Sequence, residues 1–509
     1  MKRATNTILH LPWYVFLFSV YPVLSLYAQN VTEVQNSYLW RPLATSLVGT
    51  FLALLVCRLL FKNWYMASIV TSIATIMFFA YGHVYIGLKN ISLAIPFVRH
   101  RLLLPIWAIL FVIGIWMITR GYRQPERATS VLNLVAIIAL LFPIVQTGNY
   151  LIHQRGAEQD VPRRGFAGLV LPADQRAPDI YYIILDAYGN TQTLTELMDF
   201  DNAEFLDALR NQGFYVANCS QSNYASTQLS LVSSLNLDYL TAFGDAFVPG
   251  SGDDSNLSAY LKGNATRYTL DALGYQIIAF ETGFAWSEWY DADLYLSLSR
   301  TLWRGYNEFE DLLVKTTALR ALYDMNILLK PDEVTSPHYE RVLYVLESLK
   351  VLPSMPGPKF VFVHLLMPHD PFDFNEDGTY FTGSWSSGSR EPYFEGYRRQ
   401  VIYISKVIPE VTASIIANSP TPPVIIIQGD HGPSYYYSDV ERMGILNAYY
   451  LPNGSEFLYE TITPVNTFRI LFNAYFGGNF DLLEDVSYMS ISIDDPFTVT
   501  EVTNPCMEK

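Results

Sequence analysis

Four short stretches of this 509-residue chain carry side chains able to do acid, base, metal or nucleophile chemistry. Asp186 ends the apolar run IYYIIL in ILDAYG, and Asp430 with His431 ends VIIIQ in IIIQGDHG. An Asp and a His side by side, in a Gly-bracketed turn at the end of an apolar strand, can both turn toward one cation. Asp186 taken alone reads first as an Asx-turn or a helix cap.

Thr227 lies in SNYASTQLSLVSSLN, where a polar loop becomes an apolar run at helical spacing. Its hydroxyl can cap the helix. The same position also suits an anion, because free amides and the macrodipole meet there, and Ser226 is able to fill either role. His364 and His369 occur in FVFVHLLMPHDPF, at and just beyond another strand end. His364 reads equally as a satisfied structural histidine and as an additional substrate contact. His369, held between prolines in PHDP, is placed to donate to an anion.

The elements that would position these residues form an α/β pattern. Runs rich in β-formers at Asp179–Leu185, Tyr275–Phe280, Lys359–His364 and Val424–Gln428 alternate with helical spacing such as Asn202–Asn211 and Tyr393–Ala417. Strands apolar throughout suit a mostly parallel sheet covered by helices on both faces. In such sheets chemistry gathers beyond the carboxyl ends of the strands, where Asp186, His364 and Asp430 fall.

With the strand-terminal Asp186, Thr227 before a helix, PHDPF at 368–372 and GDHG at 429–432 in that order, the chain resembles the sulfatase-like branch of the alkaline phosphatase superfamily that contains lipoteichoic acid synthase and phosphoethanolamine transferases. The resemblance implies that Thr227 is a nucleophile, that Asp186, Thr227, Asp430 and His431 surround one divalent cation, and that His369 holds phosphoryl or sulfuryl oxygens. Manganese, zinc, magnesium and calcium all stay open: two carboxylates and a hydroxyl suit a hard ion, and the imidazole also suits zinc or manganese. Two departures stand out. The lipoteichoic acid synthases carry glutamate where this chain has Asp186, and the Cys/Ser-x-Pro-x-Arg signature of formylglycine sulfatases is absent around Thr227 and after Cys219.

The activity implied is cleavage or transfer of a phospho-substituent, from a lipid or envelope-glycan phosphodiester, through a threonine nucleophile. The alternatives are hydrolysis of sulfuric or phosphoric esters, and a non-catalytic membrane scaffold that keeps the fold and binds no metal. Segment 286–333, rich in aromatics, is expected to shape the substrate cleft.

The first third of the chain must place this domain. Apolar runs at about Ile8–Ala28, Leu43–Phe61, Trp64–Leu88, Leu102–Thr119 and Val131–Val145 approach the roughly 20 residues that cross a bilayer. Residues 1–150 therefore read as a multi-pass anchor of about five helices, 151–176 as a linker, and 177–509 as the catalytic domain. Pro143 leaves the end of the fifth run open. A cleaved signal peptide is disfavoured because Leu26 stands where a small residue is wanted. With the N-terminus inside, Lys2, Arg3, Arg58, Lys62, Arg120, Arg123 and Arg127 are cytoplasmic against Arg41, Lys89, Arg99 and Arg101 outside, so the domain after the fifth span faces outward.

Residues 1–160 carry a net charge of +8, which leaves −23 of the total −15 on the remainder. An acidic domain without a basic stripe repels phosphate backbones and argues against nucleic acid as a partner. Of three cysteines, Cys57 lies in an apolar run, and Cys219 and Cys506 are free to pair if the domain is exported.

Overall fold

A computed structural model describes residues 11–91, 99–121, 126–161, 165–171, 176–250, 255–298, 307–325, 335–383, 389–433, 435, 440–492 and 494–508. Lys2, Arg3 and Arg123 of the orientation count, Arg163 and Arg164 of the linker, and parts of segment 286–333 lie outside these residues. The chain divides into two compact units: Met1–Ile152 with Gly283–Ala285 and Arg300–Pro337, and His153–Thr282 with Trp286–Ser299 and His338–Lys509.

In the first unit each expected apolar run is a helix: α1 (Tyr14–Gln29), α2 (Trp40–Phe61), α3 (Trp64–Ile91), α4 (His100–Gly121) and α5 (Glu126–Asp160). Four of them, α2 to α5, are long and apolar enough to cross a bilayer, while α1 has only 16 residues. Helix α5 runs straight through Pro143 to Asp160, so the proline does not end it. Helix Arg390–Asn418 also passes a test of length and composition for a span. It is a core helix instead, since Tyr397, Val401, Ile404, Ile408, Val411 and Ile415 bury against the sheet of the second unit.

Residues far along the chain return to this bundle. Helix Glu308–Thr316 packs on α3 so closely that a Cβ at Gly82 would stand 2.4 Å from the carbonyl oxygen of Lys315. Only glycine tolerates that approach. The Ala318 amide donates to the Phe78 carbonyl (2.8 Å), Arg41 pairs with Glu310, and His100 Nε2 meets Asp324 Oδ2 at 2.8 Å. The segment expected to shape a substrate cleft thus places its described residues 307–325 in the membrane unit.

The second unit is built on a seven-stranded sheet. Its strands are β1 (Ile180–Leu185), β2 (Tyr215–Val216), β3 (Gln276–Phe280), β4 (Leu294–Leu296), β5 (Lys359–Leu365), β6 (Val424–Gln428) and β7 (Asn447–Tyr450), in the order β2-β7-β6-β1-β5-β3-β4. The strands from β6 to β4 run parallel, and β7 and β2 complete an antiparallel edge. Every residue of β1, β5 and β6 is buried, as the unbroken apolar runs require. Helices 191–198, 203–211, 337–351 and 390–418 cover one face. On the other, Tyr182 meets Ser234 of helix Thr227–Asn236 and Phe468 of helix Pro464–Tyr475. A hairpin of β8 (Ser487–Ser492) and β9 (Asp495–Val502) follows, and Cys219 and Cys506 are joined as a disulfide.

At the amino end of the sheet Asp179 ties three strands. Its carboxylate takes Lys359 Nζ at 2.5 Å and the Lys359 amide at 3.2 Å, and its carbonyl accepts from the Val424 amide at 2.8 Å. Both side chains are buried, at 8% and 0% exposure, so removing either one strands a charge out of water. Asp179→Asn is therefore expected to destabilise the chain by about 3–5 kcal/mol, read as a lower midpoint of thermal unfolding. A midpoint unchanged from wild type would refute the role given to this pair.

Candidate active site

Strands β1, β5 and β6 are neighbours, and their carboxyl ends deliver Asp186, His364 and Asp430 to one place. The Asp186 amide continues the ladder to Leu365, and its carbonyl accepts from the His369 amide at 3.2 Å, which ties the PHDP loop to β1. Ala187 then takes a positive φ of 65°, a conformation rarely held by a residue with a side chain. Its surroundings fix it there: its amide donates to Asp430 Oδ1 (2.9 Å), and its carbonyl accepts from the Tyr397 hydroxyl (2.8 Å).

The GDHG turn packs equally tightly. A Cβ at Gly429 would stand 2.3 Å from the Tyr188 carbonyl oxygen, and one at Gly432 would stand 2.6 Å from that of Gly444. These glycines let Asp430 and His431 descend beside β1, where both are 1% exposed. Thr227 arrives as the first residue of helix Thr227–Asn236. Ser226, not Thr227, occupies the capping position, and its side chain makes no capping bond. Thr227 Oγ1 points to His431 Nε2 at 3.3 Å.

His431 Nε2 is the hub. Asp186 Oδ1 lies 3.7 Å from it, Asp430 Oδ2 3.6 Å and Arg442 Nη2 2.9 Å. Its other ring nitrogen is 3.0 Å from the Gly432 carbonyl and donates to it, which leaves a lone pair on Nε2. Burial first, and then the Arg442 charge, push the His431 pKa down to about 4, so the ring is neutral and able to ligate. Asp186 Oδ1 and Asp430 Oδ2 are both buried without a hydrogen-bond partner. Burial favours the neutral acid at Asp186, but His369, His364 and His431 outweigh it and hold this carboxyl well below the usual range.

Two buried carboxyl oxygens with no donor, an imidazole lone pair and a hydroxyl fit a divalent cation. Donors held about 2.1 Å from one ion in a tetrahedral array stand roughly 3.4 Å apart, close to the spacings measured from the imidazole. His364 is the residue whose place sequence reasoning left open. Its Nε2 is 3.0 Å from Asp186 Oδ2, and it forms with Asp186 and Asp430 a buried group of potential ligands within 4.8 Å of one another. As a donor to Asp186 it would aim that carboxylate, the role outer-shell residues play at metal centres.

His369 stands at the rim, with its side chain 30% exposed and its ring 6.1 Å from that of His431. Its Nδ1 donates to the Asp370 carbonyl at 2.8 Å. Burial works against charge on this ring, but Asp186 and Asp370 outweigh it and lift the pKa to about 10. The imidazolium is therefore charged at neutral pH and suited to an anion. Arg442 was not singled out from sequence; it sits eleven residues past His431 in a polar stretch with no motif around it.

No family model and no curated protein matches the chain. Among solved structures it is similar to the integral membrane protein lipooligosaccharide phosphoethanolamine transferase A (EptA) from Neisseria meningitidis, at 13% identity and a TM-score of 0.41, over 92% of this chain and 95% of that one. The C-terminal periplasmic domain of EcEptC from Escherichia coli aligns at 12% identity and a TM-score of 0.41, over 68% of this chain and 98% of that one. For the lipoteichoic acid synthase LtaP from Listeria monocytogenes the values are 12%, 0.39, 65% and 83%. Identities this low transfer no residue roles.

The donor set gives a direct expectation for the purified full-length protein. Asp430→Asn should abolish stoichiometric divalent metal measured by mass spectrometry, and His364→Gln should weaken metal affinity by roughly 10- to 100-fold. Wild-type metal content in Asp430→Asn would show that the cluster is not a cation site.

Proposed function

We propose that the chain is a membrane-tethered, metal-dependent enzyme of phosphoric esters, acting on a lipid or envelope-glycan phosphodiester by way of Thr227. The observation that carries this reading is the meeting of two buried, donorless carboxylate oxygens with a neutral imidazole lone pair 3.3 Å from a threonine hydroxyl at a helix N-terminus. Asp186, Thr227, Asp430 and His431 would hold the ion. When bound, a divalent cation supplies positive charge that lowers the pKa of the hydroxyl and draws in an anionic oxygen.

The residues of the chain account for the remaining work. Thr227 Oγ1 attacks phosphorus, so the Oγ1–P bond forms as the bond from phosphorus to the departing alcohol breaks. The threonine proton leaves to solvent, and the departing alkoxide is protonated from solvent. Charged His369 donates to the non-bridging oxygens, which gain negative charge at the transition state. Amides in the first turn of helix Thr227–Asn236 favour the same anion. A second hydroxyl then attacks phosphorus from the acceptor, the Oγ1–P bond breaks, and Thr227 regains its proton.

An acceptor alcohol makes the protein a transferase and water makes it a hydrolase. Transfer is the better fit, because α2 to α5 keep the domain at a surface where lipid-linked donors and acceptors are concentrated. The Cys219–Cys506 disulfide supports an oxidising compartment, in agreement with the outward orientation derived from the loop charges.

Thr227→Ala is expected to lower turnover by at least about 10³-fold while leaving the unfolding midpoint unchanged. Peptide mass spectrometry of the wild type, quenched during turnover, should find the phospho-substituent on the peptide that contains Thr227. Turnover retained in Thr227→Ala would exclude the covalent route, and comparing lipid extracts of cells with and without the protein identifies donor and acceptor.

A further inference from the structure

We propose that Gln400 is a positioning residue, which fixes the main chain of the PHDP loop so that the His369 ring meets the anionic oxygens of a substrate. The proposal rests on the reading of His369 as a donor to an anion, and it adds a side chain that never touches the substrate itself. Gln400 belongs to helix Arg390–Asn418 and is fully buried. Its helix neighbours Val401 and Ile404 are part of the apolar core, a setting in which an amide costs free energy unless its hydrogen bonds are made. Both amide protons and the carbonyl of Gln400 are directed at one loop. Nε2 donates to the Pro368 carbonyl at 3.1 Å and to the His369 carbonyl at 2.8 Å, and Oε1 accepts from the Asp373 amide at 3.1 Å.

The backbone of His369 is thereby gripped on two sides, since its amide donates to the Asp186 carbonyl at 3.2 Å while its carbonyl accepts from Gln400. The ends of the loop are tied as well: His338 Nε2 is 2.7 Å from the Leu366 carbonyl, and His338 Nδ1 is 3.2 Å from Asp373 Oδ2. None of these bonds involves the His369 ring, whose place at the rim follows from where its main chain is fixed. Tyr397 lies three residues before Gln400, on the same side of the helix, and its hydroxyl donates to the Ala187 carbonyl at 2.8 Å. One helix face thus fixes two adjacent loops, the turn that follows Asp186 and the loop that carries His369.

A glutamine that merely supported the core would act on the whole centre, whereas one that acts through His369 loses its effect once His369 is gone. The test uses the full-length protein in detergent, with Zn²⁺ and inorganic phosphate as probes, and compares wild type, Gln400→Met, His369→Gln and the double variant. Gln400→Glu is carried alongside, because it keeps the acceptor for the Asp373 amide and changes only the donor side. Calorimetry on the zinc-loaded protein should show phosphate affinity weakened by about 10-fold in Gln400→Met and by about 10- to 100-fold in His369→Gln, with the double variant no weaker than His369→Gln alone. Zinc affinity, read by chelator competition, should stay at the wild-type value in Gln400→Met. Losses that multiply in the double variant, a fall in zinc affinity with phosphate affinity, failure of both Gln400 variants to fold, or Gln400 variants equal to wild type while His369→Gln is impaired would each overturn this proposal alone. Phosphate held by His369→Gln as tightly as by wild type, or a wild type that binds neither probe, would overturn the underlying reading together with it.

Discussion

The burial of Asp186 and Asp430 side by side at the ends of neighbouring strands is the constraint on which the candidate site depends. Parallel pairing of β1 with β6 brings these two carboxylates to the same end of the sheet, where they are 2% and 1% exposed. Burying carboxyl oxygens without hydrogen-bond partners is costly, and local structure supplies only some of the partners. Asp430 Oδ1 accepts the Ala187 amide and Asp186 Oδ2 faces His364, yet one oxygen of each remains without a donor. These oxygens and the His431 ring fit a divalent cation.

Several elements of the surrounding fold fix these strand ends in place. Asp179 and Lys359 clamp β1 and β5 at the opposite end. Tyr397, from a helix buried along one face, holds the strained Ala187 backbone through its hydroxyl. Glycines at 429 and 432 remove the side chains that would push the acidic turn away from β1. Rigid elements at three strand ends leave little freedom for the donor atoms, which is how a site achieves fixed ligand spacing.

Much of this was legible in the sequence, for a definite reason: strand runs apolar on both faces can only be central strands of a covered sheet, so the polar residues ending them had to meet. Asp186, His364, Asp430 and His431 follow from that pattern, and helix Arg390–Asn418 from its spacing. Arg442 does not, because nothing in its neighbourhood marks the backbone turn that carries it to His431. The return of residues 307–325 to the membrane unit was equally hidden. Its cause is a close contact at Gly82 and ion pairs such as Arg41 with Glu310, set by residues hundreds of positions apart. Thr227 reads from sequence as lying where a loop becomes a helix, but its rank as first helical residue and not cap depends on backbone angles at Ser226 that composition does not dictate.

The acidic balance of residues 161–509 bears on the order in which such a site would fill. A phosphate diffusing to a domain of net negative charge meets repulsion at long range, and at the centre it meets Asp186 and Asp430 at close range. His369 stands charged beside Asp186, but the Asp370 carboxylate lies 2.7 Å from the same ring, so the chain's own charges do not make this centre attractive to an anion. A divalent ion would add two positive charges where the carboxylates converge. On the proposed assignment metal therefore precedes phosphate, and the affinity for the anion is conferred by the metal and not by the surface of the domain.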